Sequence, residues 1–316
     1  MIVIGIDIGG TSIKGAAINE LGKVLDRFSL PVIQGEDQEI TVKKLADTIN
    51  NFKKEHDYDE PYCGVGIGVP GIIDSDKGIV CSSANLRWEN LPLKKMIEEQ
   101  TGLATKITND ANAAALGETV FGSGKNYHSS VMITLGTGVG GGVVIDDKLV
   151  EGNEGKGFEL GHMVIQLDGR PCGCGRKGCF EQYASASALI FDTKEAMKNN
   201  PSSRLHQIAE GLGIVDGRVS FIAAKEGDEA AIKVVENYVK YLSEGLLNYC
   251  NIFRPEVIIL SGGIANEGKY LTDKIIKYFE EHHYGYYGNG MPKVDVVIAS
   301  LGYDSGKIGA AALFLK

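Results

Sequence analysis

Near the start of the chain two apolar runs, "VIGIDI" and "IKGAAI", flank the polar and glycine-rich "GGTS". Short apolar runs bounded by such a turn predict a β-hairpin. The stretch "SVMITLGTGVGGGVVID" (130–146) aligns without gaps on "VIGIDIGGTSIKGAAIN" (3–19), so that Gly9 meets Gly136, Gly15 meets Gly142, Ile18 meets Ile145 and Asp7 meets Thr134. Coincidence among 42 glycines is the bland explanation. The gapless match, with small or hydroxyl residues at corresponding turn positions, favours an internal duplication.

Elsewhere the apolar period switches between helix and strand. "DQEITVKKLADTINNFKKE" carries Ile40, Leu45, Ile49 and Phe52 near helical spacing, and "CGVGIGVPG" then reads as a buried strand closed by a Pro-Gly turn. "LPLKKMIEEQTG" predicts a helix capped by Gly102, "ATKIT" a strand, and "NDANAAALGETVFG" a helix starting at Asn109 or Asp110. In the second half a long helix covers about 228–249, with Val234, Val235, Tyr238, Leu242 and Leu246 on one face. "RPEVIILSGGIAN" is a strand running into a glycine turn; a helix over 268–282, the strand "KVDVVIAS" and the closing helix "SGKIGAAALFL" follow. Strands alternating with crossover helices predict largely parallel sheets plus hairpins in two α/β domains, divided softly near 115–125. Two related domains facing each other place two glycine hairpins across one cleft.

At 316 residues, two domains are the ordinary outcome, and 43% apolar with 23% charged residues is typical of a globular chain. No run approaches the roughly 20 apolar residues of a membrane span. The N-terminus has neither a basic lead nor a cleavage site, so a cytoplasmic location is expected. A net charge of −9 argues against a nucleic-acid partner. Six cysteines in a chain of this length are too sparse for a disulfide framework.

"DIGGT", "LGTGVGGG" and "SGGI" share one logic: glycine lets backbone N–H groups approach an anion closely, and a neighbouring hydroxyl adds a donor. None is a P-loop or a Rossmann fingerprint. Asp7 suits Mg2+ held through waters, or caps its own turn. Asp110, at a strand-to-helix junction, can take a proton from a bound hydroxyl, or can simply be an N-cap. The spacing His162-x9-Cys172-x-Cys174-x4-Cys179 satisfies tetrahedral, structural zinc, with Gly173, Gly175 and Gly178 giving the backbone room to converge three sulfurs. Free thiols in a turn, or a Cys172–Cys179 disulfide, are the alternatives.

In family order, "DIGGTSIKG", "GIGVPG", "NLRW", "NDANAAALGE", "LGTGVGGG", "ELGH", "CGCGRKGCFE" and "SGGI" resemble the ROK family of sugar kinases and repressors across essentially the whole chain. The resemblance implies an α/β fold of two duplicated actin-like (ribonuclease H-like) ATPase domains around a central cleft that closes over its substrates. The smaller domain would cover 1–118, with 304–316 packing back on it, and the larger 119–303 with the zinc loop. The implied activity is transfer of the ATP γ-phosphoryl to the 6-hydroxyl of glucose. The rivals are another sugar (N-acetylmannosamine, fructose, mannose or allose) or a silent sugar sensor. The resemblance makes Asp110 the base and Asn109 its neighbour on the sugar, with Gly71, Asn85, Glu159, His162 and Glu181 also on the sugar. His162 would serve sugar and zinc through different ring nitrogens. Gly9, Gly10, Thr11, Lys14, Thr137 and Gly138 would line the phosphates, Gly262 and Gly263 the adenosine, and Asp7 would orient Mg2+. The implied cofactors are therefore ATP, Mg2+ and structural Zn2+, the implied partners a hexose and ATP, and the implied assembly a homodimer or homotetramer without membrane or nucleic acid.

Two departures matter. The family often has a small residue before the Glu of its "ExGH" motif, where this chain has Phe158, and its repressors carry a winged helix ahead of "DIGGT", where this sequence starts at the strand. The aromatic loop "HHYGYYGNGMP" (282–292) is assigned nothing.

Overall fold

The computed structural model describes residues 1–282 and 290–315, so most of the aromatic loop at 282–292 lies outside the described residues. In chain order the strands are β1 (Ile2–Ile8), β2 (Ser12–Asn19), β3 (Val24–Pro31), β4 (Tyr62–Val69), β5 (Ile72–Asp74), β6 (Ile79–Ser83), β7 (Trp88–Leu91), β8 (Thr105–Asn109), β9 (Ser130–Leu135), β10 (Val139–Ile145), β11 (Lys148–Val150), β12 (Val257–Ser261) and β13 (Asp295–Ile298). The α-helices are α1 (Gln38–Glu55), α2 (Leu93–Thr101), α3 (Asp110–Phe121), α4 (Glu181–Ala184), α5 (Ala186–Asn199), α6 (Leu205–Leu212), α7 (Gly217–Lys225), α8 (Glu229–Phe253), α9 (Lys269–His282) and α10 (Ser305–Leu315).

The duplication read from the glycine hairpins reappears as topology. One five-stranded sheet has the order β3-β2-β1-β4-β8 and the other β11-β10-β9-β12-β13. In the first, β1, β2 and β3 are antiparallel neighbours, while β4 and β8 add in parallel. In the second, β11 is antiparallel to β10, and β12 and β13 add to β9 in parallel. A separate three-stranded sheet, β5-β6-β7, has no counterpart among the sequence expectations, nor do α5, α6 and α7.

Backbone contacts divide the chain into unit one (Met1–Ser129, Gly142–Phe158 and Ser300–Lys316) and unit two (Ser130–Gly141 and Glu159–Ala299). In unit one the alternation of β1 and β4 sends Ile4, Ile6, Ile8, Val65, Ile67 and Val69 into the core with Val42, Leu45, Ala46 and Ile49 of α1. Ile40, expected on that face, is half exposed; Thr41, Val42, Leu45, Ala46, Ile49 and Phe52 form the buried stripe instead, because Ile40 sits a turn position too early. Gly102 ends α2 in the left-handed conformation (φ 68°), as the sequence indicated. On the sheet's other face Val3, Ala16 and Ile18 pack with Ile308 and Ala311 of α10.

That second face is held at backbone contact. A Cβ on Gly66 would lie 1.8 Å from the carbonyl oxygen of Ala310, and one on Gly309 would lie 1.6 Å from that of Ala113. Helix α10 therefore touches both the sheet and α3 with no side chain between.

Unit two is organised by α8. Its stripe of Val234, Val235, Tyr238, Leu242 and Leu246 is buried as the spacing predicted, and the helix runs one turn further, to Phe253. No helix among the described residues is long and apolar enough to cross a membrane.

Replacing Gly66 by Ala is expected to destabilise the protein by about 2 kcal/mol or more, since a backbone carbonyl cannot step aside cheaply. Gly211→Ala, on α6 with nothing within 4 Å, is expected to be neutral or slightly stabilising. Thermal unfolding followed by circular dichroism checks both; equal midpoints for the two variants would contradict the close seating of α10.

Candidate active site and metal centre

In unit one the first glycine turn follows β1. Asp7 is paired in register with Lys14 across the β1–β2 hairpin, and the turn is closed by the Gly9 N–H donating to the Ser12 carbonyl at 2.9 Å. Burial raises the Asp7 carboxyl above its ordinary pKa, and the ammonium groups of Lys307 and Lys14 oppose that shift. Lys307 is itself buried, its Nζ bridging to Asp304 at 2.8 Å. A buried carboxylate with only partial compensation is a place where an additional cation is welcome, so the residues fit Mg2+. Thr11 and Lys14 are exposed on this turn and Gln34 donates to the Gly10 carbonyl at 2.8 Å.

The β8–α3 junction separates capping from chemistry. Helix α3 starts at Asp110, and the cap is Asn109, whose Oδ1 accepts from the N–H groups of Ala111 (2.9 Å) and Asn112 (3.3 Å). The Asn109 Nδ2 donates to the Gly71 carbonyl at 3.1 Å, and Gly71 needs its φ of 120° to pass beneath Ser82. Asp110 is thereby released from the capping role; its Oδ1 accepts from the Ala111 N–H at 2.9 Å, and burial raises its pKa, with the charge of Asp7 pushing the same way. Asn85 is exposed and lies beside Gly10.

In unit two His162, Cys172, Cys174 and Cys179 converge, with their ligand atoms all within 4.8 Å of one another. Cys174 and Cys179 sulfurs are 3.6 Å apart, and Cys172 Sγ is 3.6 Å from His162 Nδ1. Tetrahedral zinc at about 2.3 Å from each sulfur needs sulfur separations of about 3.8 Å, so the donors stand ready for it. The six cysteines stand as free thiols in the structure. Burial and the neighbouring thiols push Cys179 up to about 12, so its thiolate is costly without a cation. Gly175 (φ 88°) and Gly178 (φ 77°) make the tight turns, and a Cβ on Gly178 would fall 1.6 Å from the Gln166 carbonyl. Gly173, by contrast, has open space and no left-handed φ, so two glycines and not three shape the loop.

Helix α8 fixes both flanks of this loop. The Tyr249 hydroxyl donates to the Leu160 carbonyl at 2.5 Å and the Tyr238 hydroxyl to the Ala184 carbonyl at 2.7 Å, while Phe180 packs on Gly245. His162 closes a short turn that begins after Glu159, its N–H donating to the Glu159 carbonyl at 3.0 Å; Glu159 is exposed. Phe158 precedes it at φ 61°, a conformation that favours glycine, and is half buried.

Glu181 joins the loop to the second glycine turn. Its Oε2 accepts from the Val139 N–H at 3.1 Å, its Oε1 lies 3.9 Å from the Cys172 sulfur, and a Cβ on Gly138 would sit 2.3 Å from Oε2. The Glu181 carboxylate thus occupies the space beside Gly138. Thr137 is exposed on the same turn. Gly262 (φ 86°) fits against the Leu135 carbonyl, which brings the turn of Gly262 and Gly263 beside that of Thr137 and Gly138.

Three residues have no signal in the sequence: Lys307 beside Asp7, Tyr249 of α8, and Glu151, which accepts from the hydroxyls of Thr108 (2.5 Å) and Ser75 (3.1 Å); Tyr238 was legible as a core position of α8, but its hydroxyl bond was not. Each owes its place to packing between segments far apart in the chain.

The ROK family profile matches residues 3–316. A glucokinase of Thermotoga maritima is 36% identical over 98% of this chain and 96% of its own length. A xylose repressor of Caldicellulosiruptor bescii is 33% identical over 86% of this chain and 68% of its own. Among solved structures, a ROK family glucokinase from Streptomyces griseus in complex with glucose and AMPPNP superposes with a TM-score of 0.78 at 34% identity, covering 99% of both chains. With a family profile spanning nearly every residue and the same α/β architecture in its solved relatives, the chain belongs to the ROK family and has the actin-like ATPase fold.

Proposed function

We propose that the protein is an ATP-dependent sugar kinase that transfers the γ-phosphoryl group to the 6-hydroxyl of glucose. The observation that carries the reading is the β8–α3 junction, where Asn109 caps the helix and the Asp110 carboxylate, held through Oδ1 by the Ala111 N–H, stands at the helix N-terminus, in a chain whose glucokinase relatives match it end to end.

In this reading Asp110 takes the proton as the O6–H bond breaks, O6 forms its bond to the γ-phosphorus, and the bond from that phosphorus to the bridging oxygen breaks to release ADP. Asn109, Gly71, Asn85, Glu159, His162 and Glu181 hold the sugar, since paired carboxylate and amide groups suit adjacent hydroxyls. Gly9, Gly10, Thr11, Lys14, Thr137 and Gly138 cradle phosphates and Gly262 and Gly263 meet the adenosine. Mg2+, when bound near Asp7, supplies charge neutralisation at the phosphates. Zinc on His162, Cys172, Cys174 and Cys179 has a structural role: His162 Nδ1 faces the sulfurs, which leaves Nε2 as a donor toward a sugar. Glucose is preferred here over N-acetylmannosamine, fructose, mannose and allose because the relatives are named for it; Phe158, in place of a small residue, is the feature most able to change that preference. The second reading, a sugar-binding regulator without catalysis, is favoured by the xylose repressor match.

A coupled assay of ADP release over a panel of hexoses and N-acetylhexosamines is expected to show turnover, highest with glucose. No sugar-dependent ADP above background would leave the regulator reading.

Asp110→Asn is expected to lower kcat by about 10²–10⁴-fold with sugar affinity within a few-fold. Because burial holds the Asp110 carboxyl above its ordinary value of 3.8, the base loses its function as pH falls through that raised value. The acid limb of kcat/KM should therefore lie above the usual aspartate range and disappear in the variant. Normal turnover with lost binding would contradict the assignment.

Elemental analysis is expected to find about one zinc per chain. Chelation should raise proteolytic cleavage within 163–180. A zinc-free protein with a protected loop would contradict the structural-metal role.

A further inference from the structure

Glu151 stands outside every role given above, yet it is the point where three segments of unit one meet. Its Oε1 accepts from the Thr108 hydroxyl at 2.5 Å and its Oε2 from the Ser75 hydroxyl at 3.1 Å. Thr108 is fully buried and is the residue before Asn109 and Asp110. Ser75 follows β5 in the turn toward β6, the small sheet whose first residues also approach Asn109, since the Asn109 Nδ2 donates to the Gly71 carbonyl. The segment that follows Glu151 closes on the same turn: a Cβ on Gly155 would lie 2.6 Å from the Ile73 carbonyl and 2.8 Å from Ser75 Oγ. Both carboxylate oxygens are thus committed to hydroxyl donors, and each donor lies within two residues of a strand end.

We infer that Glu151 is a positioning residue: through Thr108 and Ser75 it fixes the backbone from which Asn109 and Asp110 project. A carboxylate suits this because it only accepts, so both hydroxyls are forced to donate toward it and their rotors are fixed. Burial raises the cost of the charge, as the elevated Glu151 pKa reflects, and the two hydroxyl bonds offset it. An apolar residue here would bury as well, but would leave Thr108 and Ser75 free to turn and the β8 end free to shift. A displacement of about 1 Å at a catalytic group costs up to about a hundredfold in rate. The inference rests on the kinase reading for its effect on turnover and on geometry alone for its effect on the backbone.

The test uses the full-length protein with Glu151→Ala and Glu151→Gln. For Glu151→Ala, kcat for sugar-dependent ADP formation is expected to fall about tenfold to a hundredfold, with the sugar dissociation constant changed less than about threefold. Amide hydrogen exchange across 108–112 should rise. Glu151→Gln, which keeps one acceptor and offers an N–H to the other hydroxyl, is expected to recover kcat to within about threefold of wild type. Thr108→Val, which keeps the volume and removes one bond, should lower kcat in the same direction and stands in if Glu151→Ala does not fold. Wild-type kcat and wild-type exchange in Glu151→Ala or Thr108→Val would overturn the inference. An equal loss of binding and turnover in Glu151→Ala and Glu151→Gln would do the same, since that marks a residue the fold needs and the junction does not. If the wild-type protein transfers phosphoryl to no sugar, the kinase reading fails while the exchange measurement still decides the positioning role.

Discussion

Unit one depends on how closely α10 can approach. Where most helices pack through side chains at axial separations of about 8–10 Å, this one meets β4 through Gly66 and α3 through its own Gly309, backbone against backbone. The consequence reaches Asp7 and Asp110. The N-terminus of α10 brings Gly306 against the Asp7 carboxylate, where a Cβ would lie 2.9 Å from the carboxyl carbon, and delivers Lys307 as a buried counter-charge. Helix α3, locked to α10 along its length, carries Asp110 at its first position, close enough for the charge of Asp7 to act on it. A small-residue seam thus sets the distance between two carboxylates whose burial already disfavours charge.

The parts of the fold that were legible in the sequence are those where local pattern and tertiary role agree. The two glycine hairpins, the α8 stripe and the Gly102 cap each follow from spacing within a few residues, and each appears in the structure. Ile40 shows the limit: its spacing is near helical, but the true stripe starts one position later, at Thr41, and the periodic signal is too broad to separate them. The β5-β6-β7 sheet was missed because its strands are only three to five residues long and offer no sustained alternation. Beyond the cysteine loop α6 and α7 are only eight and nine residues long, and α5, with fourteen, starts from a Ser185 cap that reads equally well as a loop residue.

For the candidate site the division is chemical. Residues that announce themselves do so by rarity or by local spacing, as the His162 and cysteine cluster does, and that cluster converges in the structure. Asn109 and Asp110 were both visible at the junction, but which of them caps was settled only by the hydrogen bonds from the Ala111 and Asn112 N–H groups to the Asn109 side-chain Oδ1. Glu151 gave no signal at all, because its partners stand 43 and 76 residues away and its surroundings, "LVEGNEG", resemble any polar turn. Glu181 was singled out for a sugar, and its bond to Val139 emerged only from the fold.

The cysteine loop hangs from α8 by two buried tyrosine hydroxyls and an aromatic ring seated on a glycine, none of which involves a metal ligand. Its ends are therefore placed by the polypeptide itself. An ion held by the cluster would have only the span between those anchors left to order, so its reach would stop at the loop and would not extend into the core around α8.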